Sequence, residues 1–468
     1  MPSLETEITN PIALHQHKYL SSFIERFNQR TQTSKKLAQD YRSFLADNKT
    51  FVDFNLPLKE IFYPIVAKSS SGAKILDVDG NEYIDLTMGF GVNLFGHNPS
   101  FIKEALVEQL EKGIQIGPQA ELAGEVAQLI CEFTGMDRVA FSNTGTEAVM
   151  TAIRVARTTT KRNKIVLFNG SYHGHFDGTL AKRNLNNANS LSLPIFSGTP
   201  LNFVQDVLVL DYGNDQSLEL IKTHALELAA VLVEPVQTRN IALQPQEFLQ
   251  QLRKLTQDLD IPLIFDEMVT GFRIHPGGAQ AWFGIQADIA TYGKIVGGGM
   301  PIGVIAGKAK YMNAIDGGIW HYGDASYPQE KTTFFAGTFC KHPLVLAAAK
   351  AVLNYLKTQG ADLQEKLNYL TSDFVAKLNT YFAYEQLPIH MTSFGSIFGT
   401  INTNNEAEKN PEAAIVFDLL YYHLLVRGIM LRGNGGFLST AHTAGDIETI
   451  LLALQDSVQE LRAGYFLP

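Results

Sequence analysis

Cysteine is nearly absent from this chain. The two thiols among 468 residues, Cys131 and Cys340, are too few for a disulfide framework and fit a reducing compartment. Neither lies in a CxxC or beside a histidine pair, so no metal site is legible from them. Cys131, in the apolar "QLICEF", reads as core, and Cys340 falls in "GTFCKHP". Basic runs are missing too: "SKKLAQDYR" and "TTTKRNK" are short and interrupted, and the formal net charge is -9. That argues against nucleic acid as a partner. No apolar run approaches the roughly 18 residues that span a bilayer. The opening "MPSLETEITNPIALHQHKYL" carries acids early and has no apolar segment of the secretory kind. The expectation is a cytoplasmic protein.

What is present suits a large core: 45% of the residues are hydrophobic and 18% charged. Residues 1 to about 18 read as flexible. The following stretch sets Leu20, Phe23, Phe27, Leu37, Tyr41 and Leu45 at helical spacing and predicts one or two helices. "KILDVDGNEYIDLTMGFG" predicts a hairpin around Asp79-Gly80-Asn81. From about 101 to 340, helical segments alternate with the apolar runs "RVAFSN", "KIVLFNG", "AAVLVEP", "IPLIFDE", "IATYG" and "IGVIAG". Continuous apolar strands between helices indicate a parallel sheet covered on both faces. The fold class is α/β: a large domain with a mostly parallel sheet sandwiched by helices, and a smaller α+β domain from both chain ends. The expected division is 1–45 for a leader and helices, 46–105 for the N-terminal part of the small domain and the site entrance, 106–345 for the large domain, and 346–468 for the C-terminal small domain.

Ligands of open parallel sheets bind beyond the carboxyl ends of the strands, and four distinctive pieces fall at such ends. In "SNTGTEA", Thr144, Gly145 and Thr146 open a helix; they serve either as an ordinary N-cap or as an anion cradle of backbone N–H groups. "GSYHGHFDG" holds Tyr172, His173 and His175, where a metal would lack a third ligand and a ring platform fits better. "LIFDEMVTGFR" places Asp266 and Glu267 after a strand, where side-chain alternation lets only one face a ligand. "GKIVGGGMPIG" puts Lys294 before Gly297, Gly298 and Gly299. A lysine, a carboxylate, a flat platform and an anion cradle are together what pyridoxal 5'-phosphate requires. The lysine condenses with the aldehyde, the carboxylate pairs with the ring nitrogen, and the glycines leave room for the bound substrate to swing.

From about residue 50 onward the chain resembles class III, fold-type I pyridoxal-phosphate aminotransferases. Within them it is most similar to glutamate-1-semialdehyde aminomutases and to aminotransferase domains of hybrid polyketide–nonribosomal peptide synthases. The resemblance rests on "DVDGNEYIDL", "NTGTEAVMTAIRVAR", "GSYHGHFDG", "EPV", "DEMVTGFR", "GGAQAWFG", "YGKIVGGGMPIG" and "AGTFCKHPL", in that order. It implies Lys294 as the Schiff-base lysine and Asp266 as the partner of the ring nitrogen. Thr144, Gly145 and Thr146 become the phosphate cradle. Tyr172 stacks on the ring, with His173 beside it, and Met268 packs on the opposite face. Glu234 lines the site, and Thr338 reaches the phosphate of a neighbouring subunit in a homodimer.

The departures from the family carry the substrate expectation. No arginine occurs between Arg42 and Arg138, and Asn55 stands nearest the position where relatives bind a free carboxylate. Arg239 replaces the second glutamate of ornithine- and GABA-type relatives, five residues after Glu234. "LRGNGGFLSTAHT" replaces the aminomutase "SxFE" stretch, and "HYGDASYPQEKTTFF" is similar to the synthase-embedded type. The expected reaction is amino transfer from an amino-acid donor to a β-keto acyl thioester on an acyl carrier protein. A 2,1-aminomutase is the alternative, and a catalytically silent scaffold is a third. Arg239, Arg273 and Arg432 are the candidates for binding a carboxylate from elsewhere in the fold.

Overall fold

The computed structural model describes residues 11–48, 54–184, 192–401, 411–431, 433 and 435–467. Helix formation begins earlier than the sequence pattern predicts, at Pro11–Arg30, followed by Gln32–Tyr41. Phe23 and Phe27 are buried with Leu419, Tyr422 and Leu425, so the first helix is held by the C-terminal part of the chain. The helical spacing fails as a guide further on, where Tyr41 and Leu45 are exposed.

Strands β1 (Ala67–Ser71), β2 (Lys74–Asp77) and β3 (Glu82–Asp85) run antiparallel in sequence. The turn between β2 and β3 is held by Asp77 Oδ1, which accepts from Asp79 N at 2.9 Å and Asn81 N at 2.7 Å. Next come β4 (Arg138–Ser142), β5 (Lys164–Phe168), the short pair β6 (Ala181–Lys182) and β7 (Leu193–Pro194), and β8 (Val207–Leu210). The central strands are β9 (Leu228–Val233), β10 (Leu263–Asp266), β11 (Ile289–Gly293) and β12 (Gly303–Gly307). Seven of these form one sheet in the order β4-β12-β11-β10-β9-β5-β8. Its centre is apolar on both faces because alternate side chains enter different clusters. Val231, Val233, Leu263 and Phe265 pack on one side, and Ala230, Leu232 and Ile264 pack on the other.

Every predicted apolar run is a strand, and β8 is one the pattern missed. The run "IGVIAG" departs in direction: β12 lies antiparallel to both β11 and β4. Residues 294–302 connect β11 to β12, fewer than the dozen or so that a parallel crossover needs. The chain therefore turns straight back. Gly298 and Gly299 take φ of +58° and +95° in that turn, and a Cβ on Gly298 would stand 3.0 Å from Ile102. Gly297 and Gly298 thus serve a tight reversal and close packing, while a Cβ on Gly299 would meet open space.

Strands β13 (Met391–Phe394), β14 (Ile397–Thr400), β15 (Ile429–Met430) and β16 (Gly435–Phe437) follow. β15 pairs in parallel with β3, so residues near both chain ends share one four-stranded sheet, β1-β2-β3-β15. The helices Pro343–Gln359, Asp362–Tyr384, Pro411–Val426 and Ala444–Ala463 complete this C-terminal part.

Candidate active site

Five chain segments meet at the carboxyl edge of the large sheet, and buried polar bonds hold them there. Asp266 ends β10 and is 4% exposed. Its Oδ2 accepts from His173 Nδ1 at 2.8 Å, and its Oδ1 accepts from Met268 N at 3.1 Å and Thr291 Oγ1 at 3.2 Å. Thr291 lies opposite Asp266 in the β10–β11 register, a partner that becomes visible only when the strand order is known. Glu267 faces the other way. Its carboxylate accepts from Thr270 Oγ1 at 2.7 Å, Ala279 N at 2.7 Å and Gln280 N at 2.9 Å. Burial pushes its pKa up to about 7 against those three bonds. The neighbouring acids therefore divide as strand alternation requires, with Asp266 toward His173 and Glu267 into the packing beneath.

Lys294 follows β11 directly with φ of +47°, a left-handed conformation uncommon for a residue with a side chain. Such strain concentrates at functional positions held by their surroundings. Its ammonium is depressed below the ordinary lysine range, chiefly by burial. Arg273 pushes in the same direction, and the Asp266 and Glu234 carboxylates oppose it. Arg273 is itself fully buried, donating from Nη1 to Ser396 Oγ at 2.8 Å and from Nη2 to Gly91 O, over the ring of Phe437. Desolvation lowers its pKa to about 9.

The turn after β4 carries Thr144, Gly145 and Thr146 into the helix Gly145–Thr160. Thr144 is its N-cap, with Oγ1 accepting from Glu147 N at 3.2 Å, while Glu147 Oε2 accepts from Asn143 N at 2.6 Å. Capping satisfies Glu147 N and leaves the earlier N–H groups of the first turn to the open end. Met268 binds this turn to the lysine strand: a Cβ on Gly145 or on Gly293 would lie 2.8 Å from its Sδ. The loop after β5 lies on the same turn, with His175 N donating to Thr146 Oγ1 at 3.3 Å.

Glu234, just past β9, is 5% exposed, and burial raises its pKa. Its Oε1 accepts from Thr238 N and Thr238 Oγ1, both at 2.9 Å, and its Oε2 accepts from Tyr172 N at 3.3 Å. Tyr172 is half exposed, with the Arg239 guanidinium 5.4 Å above its ring. Thr338 is exposed. Its segment runs past the cradle of the same chain, since a Cβ on neighbouring Gly337 would stand 3.3 Å from Asn143 Nδ2. Arg432 lies outside the described residues. Sequence reasoning did not find Thr291, Thr238 or the Arg239–Tyr172 contact, and residue types alone held no signal for them.

These residues fit pyridoxal phosphate. A buried carboxylate with three donors suits a protonated ring nitrogen, and a sixteen-residue helix opens toward an anion. His173 Nε2 is buried without a hydrogen-bond partner among the described residues, a polar atom left over at the sheet edge. Among the described residues no group of three or more His, Cys, Asp or Glu is placed to hold a metal. Nor is any described helix long and apolar enough to cross a membrane.

Comparison with known proteins agrees with this geometry. The family model described as aminotransferase class-III matches residues 58–442. Glutamate-1-semialdehyde 2,1-aminomutase 2 of Lachnoclostridium phytofermentans is 37% identical over 402 residues, covering 84% of this chain and 91% of its own. A transaminase solved with PLP bound superposes with a TM-score of 0.80 at 28% identity, over 93% of this chain and 99% of that one. A β-phenylalanine aminotransferase from Variovorax paradoxus gives 0.80 at 27% identity, over 96% and 98%. With the sheet edge, its lysine and its buried carboxylate in place, the chain belongs to the class III aminotransferases, pyridoxal-phosphate enzymes of fold type I.

Proposed function

We propose that this enzyme transfers an amino group from a free amino acid to a β-keto acyl thioester carried by an acyl carrier protein. In this reading Lys294 holds the cofactor covalently, Asp266 keeps a proton on its ring nitrogen, and Tyr172 and Met268 bracket the ring. Thr144, Gly145 and Thr146 would bind the phosphate, with Thr338 contributed by the second subunit of a homodimer in the cytoplasm. Pyridoxal phosphate, when bound, supplies an electrophilic carbon and an electron-withdrawing ring. The chain's part is to move protons. Lys294 takes the proton from the amine-bearing carbon of the donor and returns one during amination of the acceptor. Its lowered basicity supports this role, because an amine that loses its proton more readily is a better base near neutrality.

One observation carries the acceptor assignment. At Asn55, where the resemblance implies a carboxylate-binding arginine, the side-chain amide donates to Asp418 Oδ2 at 3.0 Å. An incoming carboxylate would be repelled by the acid held there, and a neutral thioester would not be. The β-phenylalanine aminotransferase among the structural neighbours is named for a β-amino acid, and the proposed product carries its amine at the same β position. The second reading is a 2,1-aminomutase, favoured by the name of the Lachnoclostridium relative.

Mass spectrometry of a carrier-bound β-keto thioester, incubated with enzyme and a panel of amino donors, separates the two. Amination of the thioester faster than of the matching free acid is the expected result. Faster amination of the acid, or efficient isomerisation of glutamate-1-semialdehyde, would overturn it.

A further inference from the structure

We infer that Arg239 receives the carboxylate of the amino donor and so sets which donors the enzyme accepts. The inference rests on the proposed amino-acid donor and on Tyr172 as the ring platform. It does not depend on the identity of the acceptor.

Arginines of this chain are commonly paired with acids: Arg138 with Asp316, Arg183 with Asp211, Arg253 with Asp288, and Arg427 with Glu460. Arg239 is exposed and has no ion pair or hydrogen bond among the described residues, and its guanidinium carbon lies 5.4 Å from the centre of the Tyr172 ring. A guanidinium lying over an aromatic ring uses its face for that contact and keeps its N–H edge free. That edge is the part that matches the two oxygens of a carboxylate.

The loop bearing Arg239 is braced as a recognition element should be. Glu234 clamps it through Thr238 on one side and holds the backbone of Tyr172 on the other. Gln237 Nε2 adds a bond to Asn169 O at 2.9 Å, joining the loop after β9 to the segment after β5. These bonds fix the backbone on both sides of Arg239, whose side chain is exposed, so the loop itself loses little further freedom on binding. The other described candidate is committed elsewhere, since both terminal nitrogens of Arg273 are bonded to Ser396 and Gly91 in the interior.

The donor half-reaction tests this without any acceptor. Stopped-flow absorbance of the holoenzyme would compare L-alanine with isopropylamine, which replaces the carboxylate by a methyl group. In Arg239→Gln the alanine-to-isopropylamine ratio of kcat/KM should fall by about tenfold or more, through KM for alanine. Arg239→Lys should restore part of the ratio. Propionate binding to the holoenzyme, followed by calorimetry, should weaken by a similar factor in Arg239→Gln. An unchanged ratio overturns the assignment, and so does an equal loss with both donors accompanied by weaker pyridoxal-phosphate binding, which would make Arg239 a cofactor contact. Failure of the thioester reading would leave these donor measurements unaffected.

Discussion

Asp266 and Tyr172 both lie at the carboxyl edge of the large sheet. Asp266 is 4% exposed and Tyr172 is 50% exposed. Asp266, His173, Glu234 and Glu267 form a floor in which each side chain is buried and each carboxylate accepts three hydrogen bonds. Tyr172 and Arg239 form a rim, exposed, with Tyr172 held through its backbone N–H and Arg239 over its ring; Thr338 is exposed as well. Low dielectric surroundings make the floor's charges strong and their geometry unforgiving. That is where the chemistry common to a family has to sit. The rim tolerates change because its side chains are solvated, and the proposed donor contact at Arg239 would sit there.

If the comparison holds, damage to the floor should cost far more than damage to the rim. Lys294→Ala is expected to lose turnover by roughly four orders of magnitude while retaining pyridoxal phosphate through its phosphate contacts, read by single-turnover kinetics and the absorbance of the purified protein. Borohydride reduction of the native enzyme should leave the pyridoxyl group on Lys294; label on another lysine would break the assignment. Asp266→Asn should lower kcat by about a hundredfold to a thousandfold with a melting temperature close to native. A more crippling effect from Glu267→Gln would instead reverse which acid faces the cofactor.

Glu267 gives the floor a pH signature. Its pKa rises from 4.5 in the unfolded chain to about 7 in the fold, so the folded state binds more protons between those values. The contribution is fully present below pH 4.5 and is lost as pH rises through 7. At most it amounts to roughly 3 kcal/mol, at about 1.4 kcal/mol per unit. Urea midpoints should fall across that window and flatten in Glu267→Gln. That variant will also be less stable throughout, because one amide oxygen cannot replace two carboxylate oxygens shared by Thr270, Ala279 and Gln280. The smallest effect belongs to the rim: Thr338→Ala should weaken cofactor binding by about threefold to tenfold, the worth of one hydrogen bond. Sedimentation should show a dimer, and a fully active monomer at assay concentration would remove Thr338's proposed cross-subunit role.

Much of the floor was legible before any coordinates. Apolar runs ending in Asp266, Glu234 and Gly293 mark strand ends, because a strand buried on both faces must be apolar along its length. Residues following such ends collect at one edge of a parallel sheet. The β12 reversal was not legible, since "IGVIAG" has the same composition as a parallel strand and only the short 294–302 connection dictates its direction. The packing of the glycine run was not legible for a related reason: composition shows permissiveness, and the neighbours Ile102 and Ile302 show where Gly298 and Gly297 need it. The helical spacing that located Phe23 and Phe27 failed at Tyr41 and Leu45, which the described residues leave exposed.

By itself the sequence determined the chemical inventory and its order: a lysine after one strand, an acid after another, a helix opening at Thr144, and the family these imply. Local patterns suffice for that, because periodicity and turn chemistry act over a few residues. The tertiary structure alone decided the partnerships. Thr291 reaches Asp266 through strand register, Glu234 joins Thr238 to Tyr172, and Arg239 comes to rest over the Tyr172 ring. Those contacts join residues far apart in the chain. Distance along a sequence carries no information about distance in space until burial of the sheet's two faces has selected one packing.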